Sequence, residues 1–224
     1  MSAWDSLKRA GVIPVVRMDT PEHAVPLARA LVRGGLPAAE VTFRSSAAAE
    51  SIRAIASAVP ELFVCAGTIL TVEQAEQAAD MGAEAIVSPG ANPEVIRWCR
   101  RRGLLAVPGC ATPTEAEACM REGLELVKIF PAEILGGVAF VRALAGPYPG
   151  LSLMPTGGIR PENAAEYLRQ KNVLACGGTW IVPEPLLRAG AFGQIEQLAR
   201  EAAAIRDGVL RETEKSAAAG PSRA

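Results

Sequence analysis

One lysine stands out among the residues able to do covalent chemistry. Lys128 sits in Leu126-Val127-Lys128-Ile129-Phe130-Pro131, with apolar neighbours on both sides. An ammonium there is partly withdrawn from water, which lowers its pKa and exposes the neutral amine that attacks a carbonyl. The competing reading is a lysine whose head reaches solvent or pairs with a carboxylate. A second cluster is Glu40-Val41-Thr42-Phe43-Arg44. Strand alternation points Glu40, Thr42 and Arg44 the same way. A carboxylate facing an interior is costly unless paired or protonated. Either a Glu40–Arg44 salt bridge or proton transfer accounts for it, and both can hold, because an arginine can orient a carboxylate and bind an anionic substrate.

Two glycine pairs follow apolar runs, Thr156-Gly157-Gly158-Ile159 and Gly177-Gly178-Thr179-Trp180. Bare backbone N–H groups at such turns cradle phosphate. A single pair is weak evidence, since turns use glycine constantly; two pairs at successive strand ends carry more. Gly67-Thr68, Ser88-Pro89-Gly90 and Pro108-Gly109 close other short runs, and Arg17 closes the first. Arg17 either adds positive charge to a binding mouth or forms a surface ion pair. Cys65, Cys110 and Cys176 read as small core residues, and Trp98 and Trp180 as packing residues.

The elements that must position these groups alternate between two textures. Short β-branched or apolar runs predict strands at Val12–Arg17, Glu40–Thr42, Phe63–Ala66, Ala85–Ser88, Leu105–Val107, Leu126–Ile129, Leu151–Thr156 and Val173–Ala175. Longer stretches with helical spacing follow at Pro21–Arg33, Ala47–Ala58, Val72–Met81, Pro93–Arg102, Pro113–Glu122, Val138–Ala145, Asn163–Leu168 and Phe192–Arg206. Thr20-Pro21 reads as a helix cap and first turn, and Thr71 to Gln74 has capping-box spacing. Gly34, Gly82, Gly103 and Gly123 stand where helices end. Eight units make an α/β fold, a (β/α)8 TIM barrel, with a short N-terminal helix at Ala3–Ala10 closing its bottom. In that fold the active site forms at the C-terminal strand ends, where Arg17, Glu40, Thr42, Arg44, Lys128 and the glycine turns fall. A doubly wound open sheet has the same local alternation and is the alternative. The barrel domain spans 1–212; the tail, 213–224, has little to bury and is expected to be disordered.

Composition narrows the partners. The 224 residues carry 23 Lys and Arg against 24 Asp and Glu. That balance gives no reason to expect nucleic acid or an acidic membrane as partner. No apolar run approaches the length of a bilayer span, and Met1–Asp5 lacks the pattern of a secretory signal. Five scattered cysteines without a Cys-x-x-Cys pair fit a reducing cytoplasm better than a disulfide framework or zinc site. His23 is the only histidine, so no histidine-rich metal site can be built.

At these same residues the chain resembles the class I 2-keto-3-deoxy-6-phosphogluconate / 4-hydroxy-2-oxoglutarate aldolase family. The matching segments are Glu40-Val41-Thr42-Phe43-Arg44, Ala66-Gly67-Thr68-Ile69-Leu70, Val87-Ser88-Pro89-Gly90, Val127-Lys128-Ile129-Phe130-Pro131-Ala132-Glu133, Pro155-Thr156-Gly157-Gly158-Ile159 and Gly177-Gly178-Thr179-Trp180. The resemblance implies a metal-independent, cofactor-free, homotrimeric barrel enzyme that cleaves a phosphorylated keto-deoxy sugar acid to pyruvate and glyceraldehyde 3-phosphate. It implies Lys128 as the Schiff-base residue and Glu40 as the general acid/base. It places Arg44 and Thr68 on the pyruvyl carboxylate, Pro89 and Phe130 as pocket walls, and Gly157, Gly158, Gly178 and Thr179 on the phosphate. Thr179 departs from the serine frequent in the family, and Arg17 stands where relatives vary. Both leave open the choice among the gluconate, galactonate and hydroxyglutarate substrates. Two other readings are a phosphate-binding barrel isomerase or synthase, in which Lys128 only neutralises charge, and a non-catalytic sugar-acid-binding barrel.

Overall fold

The computed structural model describes residues 2–218. The fold is α/β, built on a curled, wholly parallel sheet in two pieces. Six strands lie in the order β5-β4-β3-β2-β1-β9 and three in the order β6-β7-β8. They are β1 (Val12–Val16), β2 (Ala38–Thr42), β3 (Phe63–Gly67), β4 (Ala85–Val87), β5 (Leu105–Val107), β6 (Gly109–Cys110), β7 (Leu126–Ile129), β8 (Ser152–Pro155) and β9 (Cys176–Gly178). The order runs down from five to one without a reversal, and the last strand lies beside the first. A doubly wound sheet needs a switch point in its order, so that alternative fails.

Most strands are short apolar runs buried on both faces, as a parallel sheet covered by helices requires. β1, β2, β3, β7 and β9 are buried throughout. Alternation divides their side chains between two cores. Ile13, Ala38, Phe63, Cys65, Val107, Leu126 and Met154 face inward and form one cluster. Helix α1 (Ala3–Ala10) seals that cluster from below with Leu7 and Ala10, both fully buried. The outward residues, among them Val12, Val41, Val64 and Val127, pack against the surrounding helices in the larger cluster. Two residues further along the inner face of β2 and β7 come Glu40 and Lys128, so the same alternation that fills the interior aims the chemistry at its upper end.

Around the sheet lie α2 (Ala24–Arg33), α3 (Ala48–Ala58), α4 (Val72–Asp80), α5 (Pro93–Arg102), α6 (Pro113–Arg121), α7 (Gly137–Ala145), α8 (Pro161–Leu168), α9 (Glu184–Arg188) and α10 (Phe192–Ala218). Thr112 caps α6 in a reciprocal box with Glu115. Thr71 caps α4 by accepting from the Gln74 N–H, but the Gln74 carboxamide takes the Leu70 N–H instead of closing the box.

Several expectations need correction. The last strand is Cys176–Gly178 rather than Val173–Ala175, which keeps only an isolated bridge from Val173 to Leu153. Gly177 and Gly178 are therefore strand, not turn. Glycine is the residue that fits there, because a Cβ on Gly178 would lie 1.6 Å from the Trp180 ring. The fifth strand is Leu105–Val107 as expected and pairs with β4, but beyond Pro108, which lacks an N–H for the ladder, Gly109–Cys110 adds a short strand paired with β7. Thr20 makes no side-chain cap, and Pro21–His23 forms a 3-10 turn before α2. Gly35, not Gly34, takes the positive φ after α2. The short helix α9 has no counterpart in the sequence reading. Helix α10 continues to Ala218, through part of the expected tail. Its Arg and Glu side chains favour helix, and Arg169 pairs with Glu212 at 3.0 Å. The remainder of the tail, 219–224, lies outside the described residues. No helix among the described residues is long and apolar enough to cross a membrane.

Candidate active site

Lys128 and Glu40 meet on the inner face near the C-terminal ends of β7 and β2. The Lys128 ammonium donates to Glu40 Oε1 at 3.2 Å and Oε2 at 3.4 Å. The two side chains are 7% and 1% exposed. The amine is desolvated, as its apolar neighbours predict, and it also pairs with a carboxylate, the arrangement that burial of either charge demands. Gly67 on β3 makes room for the carboxylate: a Cβ there would stand 2.2 Å from Glu40 Oε1. Phe130 lies beside the amine, its ring centroid 5.4 Å from Nζ.

Arg44 does not pair with Glu40, contrary to the salt-bridge reading. Its Nε donates to Thr42 Oγ1 at 3.3 Å, and Thr42 in turn donates to the Val16 carbonyl at 3.0 Å. The buried hydroxyl thus spends its one proton on β1 and offers a lone pair to the guanidinium. Arg44 forms no salt bridge among the described residues, so its charge is left for an anion. Thr68, just past β3, is the one described non-glycine residue with positive φ, at 59°. A threonine held in that conformation carries strain that surrounding structure must outweigh, a feature that gathers at ligand sites.

These groups line one cavity of about 160 Å³, together with Val15, Thr42, Pro89, Thr156, Gly157, Gly158, Ile159, Gly177, Gly178 and Thr179. Every residue named from the sequence borders it except Arg17. Arg17 points outward, 3.0 Å from Asp19 and 3.2 Å from Glu184, so its surface-pair reading is the one realised. It borders an adjoining hollow that shares Val15, Arg44 and Thr179 with the main cavity. The residues that sequence reasoning left out are Val15, Thr42, Thr156, Ile159 and Gly177. Thr42 and Thr156 were legible as inward, strand-end hydroxyls; Val15 and Ile159 carry no chemical signal.

The glycine turn after β8 is braced from behind. A Cβ on Gly158 would stand 2.5 Å from Glu133 Cγ, and Gly158 adopts φ 81°. Glu133 accepts a hydrogen bond from the buried Tyr167 hydroxyl. Burial and that carboxylate push the phenol pKa well up, so Tyr167 stays a donor. Cys65 and Cys176 are buried core residues whose thiols burial pushes up, Cys176 to about 12 and Cys65 well above its ordinary value. Among the described residues no three His, Cys, Asp or Glu side chains gather as a metal site.

The model of the KDPG and KHG aldolase family matches residues 4–198. The chain belongs to that family. The 2-dehydro-3-deoxy-phosphogluconate aldolase of Treponema pallidum is 48% identical over 201 residues, which cover 90% of this chain and 96% of that protein. The KDPG aldolase of Legionella pneumophila, solved with pyruvate captured at low pH as a covalent carbinolamine, superposes with a TM-score of 0.86. It is 32% identical, with 89% of this chain and 97% of that one covered. The Zymomonas mobilis 2-keto-3-deoxy-6-phosphogluconate aldolase, solved with 3-phosphoglycerate, gives 0.85 at 35% identity, covering 91% and 96%.

Proposed function

We propose that this family member is a class I aldolase that cleaves 2-keto-3-deoxy-6-phosphogluconate to pyruvate and glyceraldehyde 3-phosphate, with activity toward 4-hydroxy-2-oxoglutarate. The observation that carries the reading is a buried amine and carboxylate 3.2 Å apart at the floor of a cavity rimmed by an uncommitted arginine and a glycine turn.

In this reading Lys128 passes a proton to Glu40, and the freed amine attacks the C2 carbonyl of the substrate. Glu40 returns the proton to the carbinolamine oxygen, water leaves, and a protonated imine forms. Glu40, again a carboxylate, takes the proton of the C4 hydroxyl. The C3–C4 bond then breaks, its electrons pass to the iminium, and the aldehyde departs. The enamine is protonated at C3, and hydrolysis of the imine releases pyruvate. The imine accepts electrons that a ketone would hold poorly, so the chemistry runs without a metal. Arg44 and Thr68 hold the pyruvyl carboxylate; Pro89 and Phe130 wall the pocket; Gly157, Gly158, Gly178 and Thr179 hold the phosphate through backbone N–H groups and one hydroxyl. Arg17, tied to two carboxylates, tunes the phosphate end from outside the cavity.

The same reading completes the molecule. The two sheets form one (β/α)8 barrel over residues 1–212. Support comes from the isolated bridges Leu153–Val173 and Thr156–Gly177, which join the β8 segment to the residues in and before β9, and from the Lys128 N–H on the Pro108 carbonyl at 2.8 Å. The enzyme works as a cytoplasmic homotrimer. Apolar Ile134, 84% exposed, and Leu70, 53% exposed, are the kind of surface a neighbouring copy covers. A lactate dehydrogenase-coupled assay of pyruvate release against the phosphogluconate, phosphogalactonate and hydroxyglutarate substrates tests the assignment. The expected ranking puts the phosphogluconate first; no pyruvate from any of the three overturns it.

A further inference from the structure

A second hollow lies at the opposite end of the sheet from the catalytic cavity. Gly11, just before β1, and Ser152, at the start of β8, border it, so it opens at the N-terminal ends of the strands. Its volume is about 250 Å³, against about 160 Å³ for the catalytic cavity. Apolar walls come from Trp4 on α1, Leu168 on α8, Val173 and Leu174 before β9, and Leu210 on α10. Three cations also line it, Lys8, Lys171 and Arg206, and no carboxylate does.

The cations differ in how firmly they are held. Arg206 is 14% exposed and immobilised. Its Nη1 donates to the carbonyls of Gly35 at 2.9 Å and Ala10 at 3.2 Å, and its Nε to Asp207 at 2.8 Å. Its Nη2 makes no hydrogen bond among the described residues. Its stem lies over Gly11, where a Cβ would stand 2.9 Å from the Arg206 methylenes. Lys8 and Lys171 are exposed and form no ion pair among the described residues. The nearest acid on α1, Asp5, is occupied by the Ser2 cap. A mostly buried, fixed guanidinium, two exposed ammonium groups, an indole and aliphatic walls together match a ligand with a flat apolar body and a single strong acid group.

We propose that this hollow is a binding site for a small amphipathic organic anion, an aryl carboxylate or sulfonate, distinct from the catalytic cavity. The apolar body lies against Trp4 and Leu210, and the acid group meets Lys8, Lys171 and the Arg206 Nη2.

The test uses 8-anilinonaphthalene-1-sulfonate as probe on the full chain, followed by its fluorescence, with neutral N-phenyl-1-naphthylamine as control. The expected result is one saturable sulfonate site per chain, at least tenfold tighter than for the neutral amine and weakened by added salt. The double variant Lys8→Gln/Lys171→Gln, both exposed positions, is expected to bind the sulfonate at least tenfold more weakly while retaining parental turnover. Saturating pyruvate is expected to leave probe binding unchanged. Equal affinity for charged and neutral probes, an unchanged affinity in the double variant, or displacement by pyruvate would each overturn the proposal, as would the absence of a saturable site.

Discussion

Glu40 and Lys128 are opposite charges held 3.2 Å apart where water hardly reaches, and the space between them is kept by what is missing beside them. Gly67 supplies that absence. Gly67→Ala puts a methyl group within 2.2 Å of Glu40 Oε1, and the carboxylate must swing off the amine. A displacement on that scale lowers turnover about 100-fold. Steady-state kinetics beside an unchanged circular dichroism spectrum check it; near-parental turnover would remove Glu40 from the proton path. At this scale the sequence was legible in identity and illegible in partnership. Period-two alternation put Glu40, Thr42 and Arg44 on one face. It did not say that Glu40 would choose Lys128, 88 positions away, over Arg44, four positions away. That choice is made by sheet curvature, which brings β7 opposite β2.

Elements aim these groups through their ends. The strongest local punctuation lies on α6, where Thr112 and Glu115 cap each other just after β6. The Ala111 N–H, donated at 2.7 Å, is the first cause that holds the Glu115 carboxyl below its ordinary pKa. A depressed carboxylate contributes stability above its unfolded pKa and loses it as pH falls through the folded value. Glu115→Ala is therefore expected to cost about 1 kcal/mol at pH 7. The gap between parent and variant should close below about pH 4. Urea titrations at several pH values measure it, and a gap independent of pH would mean the charge contributes nothing. The spacing of this box is local, yet the sequence reading named Thr71 to Gln74 instead, where the carboxamide turns to the Leu70 N–H. The late strand β9 was not legible, since its glycines read as a turn until Trp180 folds back over Gly178.

For the whole molecule, the floor of the interior is the least conspicuous requirement. Leu7, on a helix outside the repeating units, is fully buried against Ile13, Phe63 and Leu126 in the inner cluster that lies beneath the ion pair. Leu7→Ala is expected to destabilise the fold by about 2–5 kcal/mol, measured by chemical denaturation. A loss under about 1 kcal/mol would show that α1 is a dispensable cover. The alternation of strand and helix was visible in the sequence because each unit is short and contiguous. The pairing of Gly109–Cys110 with β7 past Pro108 and the Arg169–Glu212 pair that anchors the far end of α10 join distant segments, which no local pattern records.

In the proposed reaction Lys128 is the residue that holds the substrate. Sodium borohydride added with pyruvate, followed by peptide mass spectrometry, tests it directly. The expected result is a reduced pyruvyl adduct on the peptide containing Lys128, abolished by Lys128→Met. A folded, pyruvate-saturated protein that gains no adduct, or gains it on another lysine, would contradict it.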